Sequence, residues 1–142
     1  MSDPQIQERP EQAYVGIRET VTMETLPGAI DRGFPALFAG LAERGAQPAG
    51  PPFIRYLRVG DEIEVDLGVP VADGDRALPG GRWLAAVHVG HFSGLRAAHG
   101  ELQEWARERG IAWSEFCERY LTDPREEPDS ARWETELAYL IA

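Results

Sequence analysis

Two stretches of the chain, residues 63–71 and 133–141, alternate with a period of two, which is typical of half-buried β-strands. Residues 14–21 are rich in β-forming residues and predict another strand, and residues 53–58 predict one more. Residues 83–92 form a further strand-like run rich in alanine and valine, and residues 111–122 contain one more strand. Residues 1–11 are polar and include two prolines, so we expect a loose end that passes into an edge strand.

Two other stretches, residues 26–45 and 94–109, carry apolar residues at helical spacing. These positions are Ile30, Phe34, Leu37, Phe38 and Leu41 in the first stretch, and Leu95, Ala98, Leu102, Trp105 and Ala106 in the second. Gly45 and Gly110 are plausible C-terminal caps, and Ser93 is a good N-cap residue for the second helix. Pro35 removes a backbone donor, so the first helix either kinks there or begins near Gly33.

The same order of elements occurs twice. Each half runs strand, helix, aromatic strand and acidic-apolar strand, and each helix ends in Glu-Arg-Gly, at residues 43–45 and 108–110. Two tandem β-α-β-β modules would pair about a pseudo-twofold axis, with a groove between them. We therefore predict one α+β domain over residues 1–142, made of two β-α-β-β modules. Module one spans about 5–72, a linker 73–81, and module two about 82–142.

Size and charge narrow the classes of function. The 142 residues are 43% apolar and suffice for one folded core. A formal net charge of −10, from 24 acidic and 14 basic residues, should repel nucleic-acid phosphates. The sequence contains neither a signal-peptide pattern nor an apolar run long enough to span a bilayer. We therefore expect a cytoplasmic protein that binds neither nucleic acid nor membrane directly.

The cysteine and histidines do not indicate a metal or cofactor site. Cys117 is the single cysteine, and neighbouring acids should raise its thiol pKa, so we expect a core residue rather than a nucleophile. His88 and His91 are three apart on a predicted strand and face opposite sides, while His99 lies on the following helix. No phosphate-binding glycine loop is present. We predict neither a metal nor a cofactor.

The last strand contains the first candidate for a binding residue. Glu134 and Glu136 share one face with Ala138 and Leu140, so this face turns from polar to apolar along the strand. Glu136 should then lie at the edge of a dry region, where a buried charge requires a compensating partner. A hydrophobic cation would meet that requirement. The alternative is a solvated acid at a strand end.

Burial of Glu136 would raise its pKa, which would also suit a general base acting on water. The aromatic residues Phe53, Tyr56, Phe92, Trp113 and Tyr120 are core candidates, of which two or three should reach the groove. Tyr56 and Tyr120 are favoured because the repeat places them symmetrically. His91 precedes Phe92 at the strand-helix junction and should line the groove.

Three short motifs add a family resemblance. His-Phe-Ser-Gly-Leu at 91–95, Tyr-Leu-Thr-Asp-Pro at 120–124 and Trp-Glu-Thr-Glu-Leu at 133–137 lie within the two modules. Because of the order and spacing of these motifs, the chain resembles the GyrI-like small-molecule-binding family over about residues 5–142. That family includes effector-binding domains of AraC-type and MerR-type multidrug-responsive regulators. The chain lacks a helix-turn-helix segment, so it resembles a free-standing member.

The resemblance implies a curved antiparallel sheet with two helices and a ligand cleft where the modules meet. The cleft would have aromatic walls and a last-strand glutamate that pairs with lipophilic cations. Glu136 matches that glutamate, Tyr120 falls in the tyrosine-containing turn, and Trp133 is close to the motif but leaves the opposite face of its strand. Binding of a hydrophobic, cationic or aromatic small molecule is the main expectation. One alternative is a hydrolase of cyclopropane-bearing, DNA-alkylating natural products using Glu136 and Tyr120. Another is a protein-interaction module whose partner is DNA gyrase or a regulator.

Overall fold

The computed structural model describes residues 1–142, which form eight strands and two helices. The strands are β1 Gln5–Arg9, β2 Gln12–Val21, β3 Phe53–Val59, β4 Ile63–Pro70, β5 Arg76–Leu78, β6 Gly81–Val89, β7 Trp113–Tyr120 and β8 Glu134–Ile141. The helices are α1 Leu26–Glu43 and α2 Leu95–Glu108. The pairings of β1 with β6, β6 with β8, β7 with β8, β3 with β4, β2 with β4 and β2 with β5 are all antiparallel. The predicted α+β fold is confirmed.

The chain divides into two compact units, one of residues 1–9 and 81–142 and the other of residues 10–80. The first contains strands in the order β1-β6-β8-β7, and the second β3-β4-β2-β5. In both, the strand before the helix pairs with the last strand of its module, which also pairs with the strand after the helix. The predicted β-α-β-β repeat is therefore a repeat of topology as well as sequence.

The structure places two short outer strands, β1 and β5, differently from the sequence-based prediction. β1, expected in module one, pairs with β6 from Gln5 opposite Ala85 to Arg9 opposite Gly81, and so belongs with the second module. β5 lies inside the predicted linker and pairs with the start of β2. β1 has one neighbour in its own unit and is largely exposed, so it lacks the apolar alternation that marks a half-buried strand.

Helix α1 begins at Leu26 and continues through Pro35, whose ring is exposed. The alternative start near Gly33 is therefore wrong. Its buried positions are Leu26, Ala29, Gly33, Leu37 and Leu41, while Phe38 of the predicted stripe faces solvent. Gly33 lies against Leu67 of β4, and its missing side chain allows the helix to approach the sheet closely.

Helix α2 packs its buried residues against β6 and β8, where Leu84, Ala86, Leu137 and Tyr139 complete the core. Ser93 does not cap this helix, because it lies within a short 3-10 turn at residues 92–94. Its backbone N–H donates to Nδ1 of His91. Both predicted glycine caps are confirmed, since Gly45 and Gly110 adopt φ of +67°. Neither helix is long and apolar enough to cross a membrane.

Two glycines of α1 provide a matched test of the helix-sheet contact. Gly33→Ala should lower the free energy of unfolding by about 1–3 kcal/mol, because a Cβ would overlap the Leu67 side chain. Gly40→Ala should be neutral or stabilising by up to about 1 kcal/mol, since a Cβ there meets nothing and alanine favours helix. Urea unfolding followed by circular dichroism measures both. Equal effects of the two substitutions would contradict the close approach.

Candidate functional site

Strand β7 carries a carboxylate between two aromatic side chains on the face that α2 covers. Phe116, Glu118 and Tyr120 alternate along the strand, and they lie opposite Tyr139, Leu137 and Thr135 of β8 respectively. Glu118 is only 6% exposed, and Phe116 and Tyr120 are half-buried. The acid therefore lies in a region with little access to water, where its charge depends on groups of the protein.

Glu118 belongs to a continuous hydrogen-bond network. The Tyr120 hydroxyl donates to its Oε1 at 2.9 Å, and Nε2 of His99 on α2 lies 2.8 Å from its Oε2. The other ring nitrogen of His99, Nδ1, lies 2.6 Å from the hydroxyl of Tyr139. Gln103, one turn further along α2, donates to that same hydroxyl at 3.0 Å. Two elements of the fold, helix and sheet, thus fix the carboxylate jointly.

An aromatic group lies beside this network. The ring of Phe92 is 4.9 Å from that of Trp133 and 5.8 Å from that of Tyr120, and His91 stacks on Trp133 at 5.6 Å. Trp133 is held in place by a hydrogen bond from its indole N–H to the Glu127 carbonyl. Phe92 and His91 are exposed, whereas Tyr120 is half-buried. Four residues singled out from the sequence are therefore neighbours, and Tyr120 connects them to Glu118.

The two modules differ at this point of the repeat. The strand register makes Ile54 the module-one counterpart of Glu118, because Ile54 lies opposite Leu67 as Glu118 lies opposite Leu137. By the same register Val65 corresponds to Thr135. Module one therefore has two buried aliphatic residues where module two has a carboxylate and a hydroxyl. Since the apolar pair suffices for the fold of one module, the polar pair of the other points to a function.

The hydroxyl of Thr135 is buried and has no hydrogen-bond partner within the protein. Thr135 lies between Tyr120 of β7 and His88 of β6 in the strand register. A buried hydroxyl without a partner costs about 1–3 kcal/mol, so native structures seldom keep one without a reason. A water molecule or a polar group of a ligand would satisfy it.

Glu136 of β8 lies on the opposite face of the sheet from Glu118 of β7. Its carboxylate accepts from Arg9 at 2.8 and 3.0 Å and from Arg119 at 3.0 Å, and its side chain is 13% exposed. Burial alone would raise the pKa of Glu136, but the hydrogen bonds and charges of the two arginines outweigh it and hold the pKa below its ordinary value. The expected rise in pKa is therefore wrong, because the fold supplies its own cations.

Asp66 of β4 occupies the equivalent position in the other module, as the repeat predicts. It is fully buried, accepts from Arg18 at 2.8 Å and Arg76 at 3.1 Å, and receives the Tyr14 hydroxyl. Burial raises its pKa, and these donors outweigh the effect and lower it overall. Both modules thus contain a carboxylate on the central strand that is neutralised by two arginines.

The remaining predicted residues lie elsewhere. Phe53 is fully buried against Tyr14, at 4.9 Å between ring centroids, so it is a core residue. Tyr56 is half-buried on β3, and the register confirms it as the counterpart of Tyr120. Cys117 is buried, and burial raises its thiol pKa to about 12. No group of three or more His, Cys, Asp or Glu residues is placed to hold a metal ion.

An open cleft of about 420 Å³ lies at the C-terminal end of α1. It is lined by Arg44, Gly45, Ala46, Gln47, Val71, Ala72 and Asp73. An ion pair between Arg44 and Asp73, 2.6 Å long, lies in it. With no aromatic lining, it suits a hydrophobic ligand less well than the surroundings of Glu118 do.

Sequence patterns alone did not bring Glu118, His99 and Tyr139 together as a group. One signal was available, since the alternation along β7 places Glu118 on the same face as Phe116 and Tyr120. An ungapped alignment of Phe-Ile-Arg-Tyr at 53–56 with Cys-Glu-Arg-Tyr at 117–120 would also have shown the change from Ile54 to Glu118. The strand register agrees with this alignment, since Phe53 lies opposite Gly68 as Cys117 lies opposite Ala138.

A family profile described as the GyrI-like small molecule binding domain matches residues 2–141. The chain therefore belongs to the GyrI-like family. A comparison with curated protein sequences found no match.

Solved structures share the fold. An EcmrR–DNA complex matches with a TM-score of 0.85 and 19% identity over 98% of this chain and 57% of that one, so the chain spans little more than half of EcmrR there. The EcmrR C-terminal domain matches with a TM-score of 0.74 and 20% identity, covering 99% of this chain and 97% of that one. The structure of SAV2435 bound to tetraphenylphosphonium matches with a TM-score of 0.69 and 14% identity, covering 99% of this chain and 94% of that one.

A hydrolase encoded by lin2189 from Listeria innocua matches with a TM-score of 0.63 and 13% identity, covering 98% of this chain and 91% of that one. At such identities the similarity shows a common fold.

Removal of the Glu136 charge should destabilise the protein in a pH-dependent way. Glu136→Gln leaves two arginines without their acceptor, and we expect a loss of about 1–3 kcal/mol at pH 7. Because the folded pKa lies below the unfolded one, this contribution is present above about pH 4.3 and is lost as the pH falls through the folded pKa. Glu134→Gln, at the exposed position two residues earlier, is the control. Urea unfolding at a series of pH values should show the full difference at pH 7 and a progressive loss of it as the pH falls below about 4.3.

Substitution of Thr135 tests whether its hydroxyl is free of partners in the unliganded protein. Thr135→Val reproduces Val65 of the other module, so we expect an unchanged free energy of unfolding or a gain of up to about 1 kcal/mol. Thermal unfolding by calorimetry measures it. A loss of more than about 1 kcal/mol would show that the hydroxyl contributes a hydrogen bond to the folded state.

Proposed function

We propose that the chain binds a hydrophobic, cationic or aromatic small molecule at Glu118 and the adjacent aromatic group of His91, Phe92, Tyr120 and Trp133. It would act as a drug- or effector-binding or sequestering protein. The observation that carries the proposal is the departure from the internal repeat, Glu118 and Thr135 in place of Ile54 and Val65. Both polar residues lie on the α2 face, on adjacent strands next to Tyr120.

The chemistry of this region fits a lipophilic cation. Aromatic rings offer apolar contact area and the negative face of their π-system to a positive charge. A carboxylate in a poorly solvated position attracts that charge more strongly than the same group would in water. Glu118 supplies the carboxylate, and Phe92 and Trp133 supply rings that reach the surface.

Glu118 fits this role better than Glu136. The aromatic group lies beside Glu118 through Tyr120, whereas Glu136 lies on the opposite face of the sheet. Arg9 and Arg119 already compensate the Glu136 charge, so a cationic ligand would have to displace a guanidinium. Asp66, the counterpart of Glu136, is likewise paired with two arginines, Arg18 and Arg76. This shared pairing favours a structural role for the position in both modules.

The comparisons support this class of ligand. The family is described as a small molecule binding domain, and one structure with this fold contains tetraphenylphosphonium, an aromatic cation. That compound is therefore a suitable first probe. Regulation of transcription is a further proposal, based on the EcmrR complex with DNA, and it would require a DNA-binding part in addition to residues 1–142.

Titration with tetraphenylphosphonium tests the proposal through tryptophan fluorescence. Wild type should bind at micromolar level, and Glu118→Gln should bind about tenfold more weakly or worse. Glu136→Gln should change the affinity by less than about threefold. The neutral compound triphenylphosphine oxide should bind wild type and Glu118→Gln equally, because only the charge interaction is removed.

The same titration tests the sequence-based prediction for Glu136. If Glu136→Gln no longer binds tetraphenylphosphonium and Glu118→Gln binds it with wild-type affinity, Glu136 is the counter-charge of the ligand and the proposed site is wrong. If no cation or aromatic compound binds wild type, the search should turn to protein partners such as DNA gyrase.

Hydrolysis is a second candidate function. A carboxylate fixed by two hydrogen bonds could accept a proton from an attacking water, and one structure with this fold is a hydrolase. The expected substrates, cyclopropane-bearing DNA-alkylating compounds, would be opened by water, with Glu118 as base in place of the predicted Glu136 and Tyr120. Liquid chromatography with mass detection of such a compound separates turnover from binding. Breakdown that is lost in Glu118→Gln would favour the hydrolase.

A further inference from the structure

We propose that His99 is a positioning residue that holds Glu118 as a charged acceptor, and that Tyr139 and Gln103 fix the ring tautomer with which it does so. This proposal rests on the proposed function, because it concerns the carboxylate assigned to the ligand site. It adds three residues, His99 and Gln103 on α2 and Tyr139 on β8, to those of the aromatic group. These residues should set the preference for cations through Glu118.

The direction of each hydrogen bond follows from Gln103. Its Nε2 is a donor only, so the Tyr139 oxygen accepts this bond. Burial raises the pKa of Tyr139 to about 12, so the phenol keeps its proton at neutral pH. That proton points to the nearest remaining acceptor, Nδ1 of His99 at 2.6 Å. Nδ1 must then be the unprotonated nitrogen of a neutral ring.

A neutral imidazole with a bare Nδ1 carries its proton on Nε2. Nε2 of His99 therefore donates to Glu118 Oε2, at 2.8 Å. The Tyr120 hydroxyl donates to Oε1, so each carboxylate oxygen receives a proton from the protein. Both carboxylate oxygens therefore act as acceptors, the arrangement that an ionised carboxylate makes. Glu118 is thereby held in one orientation.

The other tautomer would reverse this effect. With the proton on Nδ1, the Nε2 lone pair would face the carboxylate, and the short contact would become repulsive unless Glu118 took up a proton. The Tyr139 oxygen would then accept from both Gln103 and His99, and its own buried proton would lose its partner. The network is therefore complete in only one tautomer.

Packing holds the ring in position. His99 lies 5.2 Å from the ring of Phe116 and 5.7 Å from that of Tyr139, and its side chain is 14% exposed. Tyr139 in turn stacks on Phe116 at 4.9 Å and meets Trp113 edge-on at 5.3 Å. Gln103 follows His99 by four residues on α2, so both reach the same face of the helix.

Tyr139→Phe is the sharpest variant, since it removes one hydroxyl and keeps the stacked ring. In nitrogen-15 spectra of the histidine rings at about pH 8.5, where an ordinary imidazole is neutral, wild-type His99 should be the Nε2–H tautomer. In Tyr139→Phe the two tautomers should mix. The affinity for tetraphenylphosphonium should fall by about three- to tenfold, while that for triphenylphosphine oxide should not change.

His99 itself is tested with a conservative pair. His99→Gln retains an N–H donor within reach of Glu118 and should keep most of the cation affinity, whereas His99→Leu should lose about as much as Glu118→Gln. The same variants assign the His99 signals against those of His88 and His91. Thermal unfolding of each variant shows whether it is folded.

The outcomes separate this proposal from the proposed function. One outcome is that Glu118→Gln loses affinity for tetraphenylphosphonium, while Tyr139→Phe retains that affinity and a single Nε2–H tautomer of His99. The role of Tyr139 and Gln103 is then refuted, and the proposed binding site stands. A wild-type His99 with its proton on Nδ1 refutes the proposal without any ligand. If wild type binds no cation, the proposed function fails first, and the tautomer spectrum still decides the direction of the network.

Discussion

The cost of burying a charge organises this fold. An ionised carboxylate removed from water is stable only when donors or cations replace the lost hydration. Three acidic side chains are nevertheless buried or nearly so on the sheet strands, Asp66, Glu118 and Glu136. For Asp66 and Glu136 the solution is a pair of arginines from other strands, and for Glu118 it includes a histidine from a helix and a tyrosine of its own strand.

These two solutions have different consequences. A carboxylate between two guanidinium groups is neutralised within the protein and holds strands together, but it offers little to a ligand. With the tautomer that we propose for His99, the Glu118 carboxylate is oriented by a hydroxyl and a neutral imidazole, which bring no compensating positive charge. The internal repeat makes the contrast visible, because the arginine-paired acid occurs in both modules and Glu118 in one. The duplicated position belongs to the architecture, and the unduplicated one carries the ligand role that we propose.

Much of the fold followed from local patterns. Period-two alternation marks β4 and β8, helical spacing marks α1 and α2, and glycine in a left-handed conformation ends both helices. β1 and β5 carry no such pattern because they are short outer strands. The partners of Glu136 could not be read locally either, since Arg9 lies 127 residues away in the chain. Glu118 was within reach, but its meaning depended on knowing which residues of the two modules are equivalent.

The place of β1 links the first residues of the chain to the last strand. The unit of residues 10–80 is contiguous, so its contacts can all form as soon as it has left the ribosome. Arg9 and its strand must instead wait for residues 81–142 before their partners exist. A protease cut or an affinity tag near the N-terminus would therefore disturb a carboxylate encoded close to the other end. Moving residues 1–9 behind Ala142 by circular permutation would make both units contiguous and remove this delay.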